Sequence, residues 1–205
     1  MSENLRHLQA LVLKKSAVEW FKGLFRHAHL EVKDTGERFT IVHHGDRAEV
    51  LTGFQADDPN FVIPLHSTTI RALADAFSDD TITAQEEYRI VRFMLKPCLK
   101  AALQMPILRN KALLKIVKVD THWQEALLDP QGNEDEPLTV IYVNKQWLVI
   151  AGYHGQPQRR WRVTPAQLLE FQRRVLEADE ANKLSAWLKL GRWYVKWREA
   201  VTATG

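Results

Sequence analysis

Cysteine is almost absent from this chain of 205 residues, which contains Cys98 alone. A single cysteine excludes an internal disulfide and any zinc site built on several thiolates. Glycine and proline are also scarce, at 9 and 8 residues, and this excludes a collagen-like or low-complexity chain. No apolar run approaches the roughly 18 residues of a membrane span, and the N-terminal segment lacks the continuous apolar core of a signal peptide. We therefore expect a cytoplasmic protein from a reducing compartment.

Motifs that indicate catalysis are missing as well. The chain has no G-x-S-x-G nucleophile elbow, and its glycines are scattered singly, so it has no glycine-rich phosphate loop. Cys98 follows Pro97 with no cue that a histidine lies near it, which favours a small buried hydrophobe over a nucleophile. The sequence therefore predicts neither an enzyme nor a cofactor site.

What the chain does contain is ordinary globular material, since 45% of its residues are hydrophobic and 26% are charged. Its formal net charge of +3 is too small to indicate one kind of partner. Tryptophan is frequent, and most of the tryptophans lie in the second half: Trp123, Trp147, Trp161, Trp187, Trp193 and Trp197. Tryptophan is therefore concentrated in the second half.

Hydrophobic periodicity and turn residues predict a regular order of elements in the first half. The order is a helix over 4–28, strands over 30–32, 39–44, 48–52 and 61–65, a helix over 67–77 and a helix that starts near 83. Ser67 is the expected N-cap of the second helix, and Thr83 forms a capping box with Glu86. Pro64 needs an edge position in its strand, and Pro97 should break or kink the last helix.

The second half repeats this order. The predicted elements are a helix over 104–119, a strand over 122–128, a hairpin over 138–153, a strand over 159–163 and helices over 164–179 and 180–201. The hairpin turns at Asn144 and Lys145, which form a two-residue turn. Thr164 and Gln167 form a second capping box. Both halves thus read as a helix, a small sheet and closing helices.

An internal repeat aligns the two hairpins. The segment "TIVHHGDRAEVLTGF" (40–54) lies above "TVIYVNKQWLVIAGY" (139–153) at a constant offset of 99 residues. The best-matched pairs are Thr40 with Thr139, Gly53 with Gly152 and Phe54 with Tyr153. Self-similarity of this kind indicates a duplicated architecture. We therefore predict an α+β protein of two similar units, 1–104 and 105–205, each with a small antiparallel sheet; the units could share one continuous sheet or core.

The repeat also bears on the most polar cluster of the chain, formed by His43, His44 and Asp46. The second copy builds the same turn with Tyr142 and Val143, which are not metal ligands. Neighbouring residues of a strand point to opposite faces, so the two imidazoles cannot easily bind one ion together. We therefore interpret the cluster as a hairpin tip and predict no metal site. The alternative requires Asp46 or His66 to converge on one of the imidazoles.

The segment "EVKDTGERFTIVHHGDRAEVLTGFQADDPNFVIPLHSTTIRALADAF" resembles the sterol-carrier-protein type 2 family of lipid-binding domains. Those domains show an initial helix, a strand pair around a glycine-containing turn, an acidic turn and a short apolar strand before a helix that opens with Ser or Thr. The resemblance covers about residues 17–104 and implies a hydrophobic cavity under a sheet, with no catalytic residues. Family members usually carry a glycine-containing strand where this chain has residues 86–103, which contain no glycine and could be helix or strand.

The function that this resemblance implies is non-catalytic binding or carriage of a lipid or fatty acyl group. The ligand's chain would be buried between sheet and helices, which is worth about 0.8 kcal/mol per methylene. We predict that the cavities are lined by large apolar side chains: Phe54, Phe77, Phe93 and Met94 in the first unit, and Tyr153 and Phe171 in the second. The competing prediction is a protein-interaction module with a filled core and no ligand.

The C-terminal helix offers two further interpretations. Its tryptophans and cations could face a membrane surface or a partner protein, through Trp187, Trp193, Trp197, Lys189, Arg192 and Lys196. Alternatively, its apolar side packs into the core and its basic stems lie over the edge. Nucleic-acid binding would use Arg159, Arg160 and Arg162 around Trp161. Arginines that protect an edge strand explain the same residues more simply, so nucleic acid is not an expected partner.

Overall fold

The structure is a computed structural model. It describes residues 1–55, 61–78, 81–103, 108, 114–115, 119–181 and 183–202. The chain divides into two compact units, Met1–Ala101 and Ala102–Gly205. Each unit contains one four-stranded sheet with helices. The predicted α+β class with two similar units is therefore confirmed.

In both units the strands precede a pair of closing helices. Unit 1 comprises α1 (Glu3–Val12), α2 (Lys15–Phe21), β1 (His27–Val32), β2 (Arg38–His43), β3 (Ala48–Thr52), β4 (Phe61–Leu65), α3 (Ser67–Ala76) and α4 (Ala84–Ala102), whose last residue belongs to unit 2. Unit 2 comprises β5 (His122–Leu127), β6 (Leu138–Val143), β7 (Gln146–Ala151), β8 (Arg159–Val163), α5 (Pro165–Ala181) and α6 (Leu184–Val201). The predicted helix over 104–119 lies mostly outside the described residues.

The two sheets have the same topology. The strand order is β3-β2-β1-β4 in unit 1 and β7-β6-β5-β8 in unit 2. In each sheet the first three strands are antiparallel neighbours, and the fourth pairs in parallel with the first strand of its unit. The sheets are therefore mixed rather than wholly antiparallel, and the described strands form two separate sheets rather than one continuous sheet. Pro64 lies in β4, at an edge, as expected.

The repeat extends to individual hydrogen bonds. The Thr40 hydroxyl donates to the carbonyl of Gly53 at 2.9 Å and accepts from the backbone N–H of Gln55 at 3.0 Å. In unit 2 the Thr139 hydroxyl donates to the carbonyl of Gly152 at 2.7 Å and accepts from the N–H of residue 154 at 3.0 Å. Both threonines are fully buried. We call these two arrangements the threonine clamps.

The local signals at helix starts and turns are confirmed. Thr83 and Glu86 exchange hydrogen bonds between hydroxyl, carboxylate and backbone, as a capping box requires. Thr164 and Gln167 do the same at the start of α5. Asn144 and Lys145 have φ of 49° and 64°, the positive values of a two-residue hairpin turn.

Three predictions about helices were wrong. The helix over 4–28 is two helices followed by a strand, because Lys14 adopts an extended conformation (φ −81°, ψ 123°) and β1 begins at His27. Ser67 is the first helical residue rather than the cap, since its hydroxyl accepts a hydrogen bond from Asn4 instead of a helical amide. Pro97 does not break α4, which continues for five residues to Ala102.

Candidate functional site

Unit 1 contains an apolar cavity between the inner face of its sheet and its helices. The cavity has a volume of about 30 Å³. Its walls come from each of the helices and strands named above for this unit: Leu8, Leu11, Val12, Ala17, Val18, Phe21, Phe25, Ala28, Leu30, Ile41, His43, Ala48, Ile63, Leu65, Leu73 and Met94. Strand alternation brings the strand residues to one face, and helical spacing brings Leu8, Leu11 and Val12 to one side of α1.

His43 is the single polar side chain among these wall residues. The backbone N–H of Gly45 donates to its Nδ1 at 3.2 Å, so Nδ1 carries no proton. The proton is therefore on Nε2, which donates to the carbonyl oxygen of Val18 at 2.9 Å. Both ring nitrogens are occupied by hydrogen bonds, and the imidazole joins α2 to the sheet. The wall thus offers a ligand hydrocarbon surface and no charged group.

The cavity exists where unit 1 has alanine and unit 2 has tryptophan. Ala48 and Trp147 stand 99 residues apart and occupy equivalent positions of the two hairpins. Ala28 pairs with Ile41, as Trp123 pairs with the equivalent Val140, so Ala28 and Trp123 are equivalent too. The two indoles are buried and pack edge to face, with ring centroids 5.4 Å apart. Tryptophan buries about 150–250 Å² of surface, so unit 2 fills with side chains the region that unit 1 leaves open.

The predicted lining residues of unit 1 are only partly brought together. Met94 lines the cavity, and Phe77 lies beside it in a core cluster with Leu73 and is fully buried. Phe93 points away and is 47% exposed. Phe54 does not line the cavity, because it lies on the outer face of the sheet. There its ring stacks on His29 at 4.3 Å, and Arg38 covers it at 5.1 Å.

In unit 2, Tyr153 and Phe171 lie in different places. Tyr153 occupies the outer face of its sheet, like the equivalent Phe54, with Arg160 over its ring at 5.4 Å. Its hydroxyl donates to Glu134 at 2.9 Å. Phe171 lies on α5 and packs against Trp197 of α6, with ring centroids 5.0 Å apart. The two residues therefore do not line one shared cavity.

The tryptophans of α6 point mainly towards the body of unit 2. Trp197 is buried, whereas Trp187 and Trp193 are half-buried. The exposed face of the helix carries cations instead, at Lys189, Arg192 and Lys196, beside the exposed Leu188. An insertion of Trp197 into a membrane surface is therefore excluded unless the helix moves. Among the described residues, no helix combines the length and the apolarity needed to cross a membrane.

The other candidate chemistries are constrained by burial. Trp161 is 6% exposed and faces the core, away from Arg160 and Arg162, so it cannot stack bases. His43 is buried while His44 is exposed and contacts Glu49 at 3.0 Å, so the two imidazoles point apart as expected. Within the described ranges, no three His, Cys, Asp or Glu side chains cluster as metal ligands do.

Cys98 is a partly buried free cysteine of α4. Burial raises the pKa of its thiol to about 12, so the thiol stays protonated at neutral pH. Such a thiol is a poor nucleophile, which agrees with its interpretation as a small hydrophobic side chain.

The small residues that create the cavity were missed in the sequence, although one signal was available. Ala48 stands directly above Trp147 in the aligned hairpins, so the size difference is visible there. The match of Ala28 with Trp123 needs the strand register, which only the structure supplies. No protein-family model matches this chain, and neither a curated protein nor a solved structure matches it. The sterol-carrier resemblance therefore stays a prediction, and the functional assignment depends on the geometry of unit 1.

Proposed function

We propose that unit 1 binds the hydrocarbon part of an apolar or amphipathic small molecule, such as a lipid or fatty acyl group. The observation that carries the proposal is the apolar cavity between sheet and helices, at the positions where unit 2 has packed tryptophans. Ligand pockets in proteins are concave, mostly apolar and few in number. In this proposal, unit 1 is the binding unit and unit 2 is not.

The cavity must enlarge to accept a chain. Its volume of about 30 Å³ is far below that of ligand pockets, which measure roughly 300–1,000 Å³. The element best placed to move is α2, which has seven residues. It follows Leu13, which is 83% exposed. Movement of α2 away from the sheet would have to break the hydrogen bond from His43 to the carbonyl of Val18.

The hydrophobic effect supplies the driving force for this opening. Each buried methylene contributes about 0.8 kcal/mol, so a chain of about ten methylenes gains about 8 kcal/mol. A free energy of that size corresponds to micromolar affinity, before the costs of immobilising the ligand and separating α2 from the sheet. Because those costs come off the gain, a chain of about ten methylenes should bind more weakly than micromolar. Only longer chains, which gain more, should reach the micromolar range, and short chains should bind little.

The first test is native mass spectrometry of the purified protein, followed by denaturing extraction of any bound molecule. A co-purifying lipid or acyl species would support the proposal. A clean apo mass, together with no uptake of a fluorescent fatty-acid probe at micromolar concentration, would overturn it. The protein-interaction module would then be favoured, with the exposed Leu148 and Ile150 on the edge strand β7 as the surface to examine.

A matched pair of variants on α3 locates the bound probe. Leu73 lines the cavity and Ile70 does not, although both side chains are buried in the same helix. Leu73→Ala and Ile70→Ala remove a similar volume and should both lose about 2–5 kcal/mol of stability. Only Leu73→Ala should change the probe's affinity. Ala28→Val, which adds two methyl groups inside the cavity, should weaken probe binding by about tenfold or more. Equal effects of the two α3 variants would contradict binding at this cavity.

A further inference from the structure

Glu125 of β5 is a carboxyl group inside an aromatic core. Its side chain is 4% exposed, and its Oε2 accepts a hydrogen bond from Nε1 of Trp123 at 2.9 Å. Trp123 stacks on Trp161, with ring centroids 5.0 Å apart, and Trp161 meets Trp197 edge to face at 5.6 Å. The register places Glu125 directly beside Trp161 on the neighbouring strand. The carboxyl group thus lies beside the indoles of Trp123 and Trp161, and Trp197 of α6 packs against the second of these.

Three polar atoms of this cluster have no hydrogen-bond partner within the described part of the chain: Oε1 of Glu125, Nε1 of Trp161 and Nε1 of Trp197. Leaving a buried donor or acceptor unpaired costs roughly 1–3 kcal/mol. Such groups are rare in native proteins, and each of them needs an explanation. Three of them lie in one cluster, so a rearrangement that paired them would lower its free energy.

The fold itself does not require a carboxyl group at this position. Leu30 of β1 pairs with Ile63, as Glu125 of β5 pairs with Trp161, so Leu30 is the equivalent residue of unit 1. Unit 1 therefore builds the same strand with an aliphatic side chain that is 3% exposed. A leucine serves the strand where Ala28 is the neighbour, whereas in unit 2 the carboxyl group accepts the indole N–H of Trp123. A neutral amide could accept that bond as well, so the bond alone does not require a titratable group.

The protonation state of Glu125 changes which hydrogen bonds the cluster can make. An indole N–H only donates, and an ionised carboxylate only accepts. When Glu125 is neutral, its O–H cannot bond to either indole. When Glu125 is ionised, Oε1 becomes a strong acceptor. The unpaired donors of the same cluster are Nε1 of Trp161, on the neighbouring strand, and Nε1 of Trp197, which packs against Trp161. Reaching Oε1 requires an indole to move, and Trp197 belongs to α6.

We propose that Glu125, with the indoles of Trp161 and Trp197, is a proton-sensitive switch that sets how α6 packs on the sheet of unit 2. Protonation favours the packing seen in the structure, and loss of the proton draws an indole towards the carboxylate. The proposal does not depend on ligand binding by unit 1. Burial raises the pKa of Glu125 to about 7, and the Trp123 hydrogen bond opposes that rise, so the switch would operate near neutral pH.

The charged groups around the cluster form ion pairs just before the start of β5. Asp120 lies 3.1 Å from Arg159 of β8 and 3.3 Å from Arg198 of α6. Tyr194 of α6 packs under Arg198, and burial raises the pKa of its hydroxyl. The neighbour of Glu125 on β6 is Leu138, and α5 contributes Phe171 to the aromatic cluster. Arg160 and Arg162 alternate onto the other face of β8.

The test is a pH titration of the whole chain between pH 5 and 9, followed by tryptophan emission and by hydrogen exchange of α6 amides. Most of the tryptophans lie in unit 2, so the emission reports mainly on that unit, and the Glu125 variants assign the change to this cluster. We expect a sigmoidal shift in emission with a midpoint near pH 7. After correction for intrinsic exchange, the opening equilibrium of α6 should rise by up to about a hundredfold from pH 5 to pH 7, or about tenfold per pH unit.

Two replacements of Glu125 make the test decisive. Glu125→Gln keeps an acceptor for Trp123 but cannot ionise, and Glu125→Leu introduces the residue that unit 1 uses. Both should abolish the transition, whereas Glu170→Gln, at a half-exposed site on α5, should retain it. A flat titration of the unmodified chain would overturn the proposal. A transition that persists in either Glu125 variant, provided that the variant folds, would overturn it as well.

The indoles are tested by exchange rather than by emission. Trp161→Phe and Trp197→Phe keep an aromatic ring but remove the N–H donor. At least one of them should reduce the pH dependence of α6 exchange. An unchanged pH dependence in both variants would overturn the role of the indole donors.

Discussion

Replacing Glu125 by glutamine should remove a pH dependence from the stability of unit 2. The carboxyl group is 4% exposed and receives one hydrogen bond, from Trp123. Its burial raises its pKa from an ordinary value of 4.5 to about 7. In the unfolded chain the group is solvated and titrates at the ordinary value. The free energy of unfolding must therefore depend on pH between these two values.

The direction of this dependence follows from proton binding. Between pH 4.5 and 7 the folded protein holds a proton that the unfolded chain has released, so raising the pH favours unfolding. Each pH unit in this window lowers the free energy of unfolding by about 1.4 kcal/mol. The loss is complete above pH 7 and amounts to about 3 kcal/mol. Glutamine does not titrate. The free energy of unfolding of the Glu125→Gln variant, compared with that of the unmodified chain, should therefore be more favourable at pH 8 than at pH 4.5 by about 3 kcal/mol.

The assay is urea unfolding at several pH values between 4.5 and 8.5, monitored by tryptophan emission. Six of the seven tryptophans lie in unit 2, so its unfolding dominates the signal and is fitted as its own transition. Glu170→Gln on α5 serves as the control, because its carboxylate is half-exposed and exposed ion pairs contribute little. A stability difference between the Glu125 variant and the unmodified chain that does not change with pH would refute the reasoning.

Three other outcomes are expected. Lys145→Gly should raise the stability of unit 2 by about 0.5–1 kcal/mol in urea unfolding, because Lys145 has φ of 64°, where a side chain is strained and glycine is not; a loss of stability would contradict this. Trp147→Ala, which introduces the residue that Ala48 provides in unit 1, should cost about 3–5 kcal/mol and leave an apolar cavity that takes up a benzene-sized probe, seen as an increase in Tm with probe. Cys98, with its thiol pKa raised to about 12, should react with a thiol reagent at pH 8 much more slowly in the folded chain than in urea, and equal rates would show that the thiol is accessible.

The parts of the fold that sequence reasoning predicted correctly depend on short-range rules. Capping boxes at Thr83 and Thr164 need only residues three positions apart, and the turn at Asn144 needs only two. The hairpin repeat is likewise visible at a fixed offset. The break between α1 and α2 was missed because an apolar stripe continues across Lys14, so periodicity alone gives no stop signal.

The candidate site was harder to predict because it depends on which face a side chain occupies. Large apolar residues such as Phe54 and Tyr153 looked suitable as lining, but each lies between the two residues that a threonine clamp holds, on the outer face of the sheet. The residues that create space are Ala28 and Ala48, and small side chains give no periodic signal. Glu125 was missed for a related reason: β5 is buried on both faces, so alternation cannot identify a charge that faces the core.

The threonine clamps have a consequence for protein design. Each clamp fixes the end of a hairpin from the outer face of the sheet, through backbone groups of two residues. The side chains that differ most between the units, alanine in one and tryptophan in the other, lie on the inner face. Backbone register and interior volume are therefore controlled by separate sets of residues. One scaffold could accordingly be given a hollow or a solid interior by exchanging inner-face residues between its two copies, with the clamps left untouched.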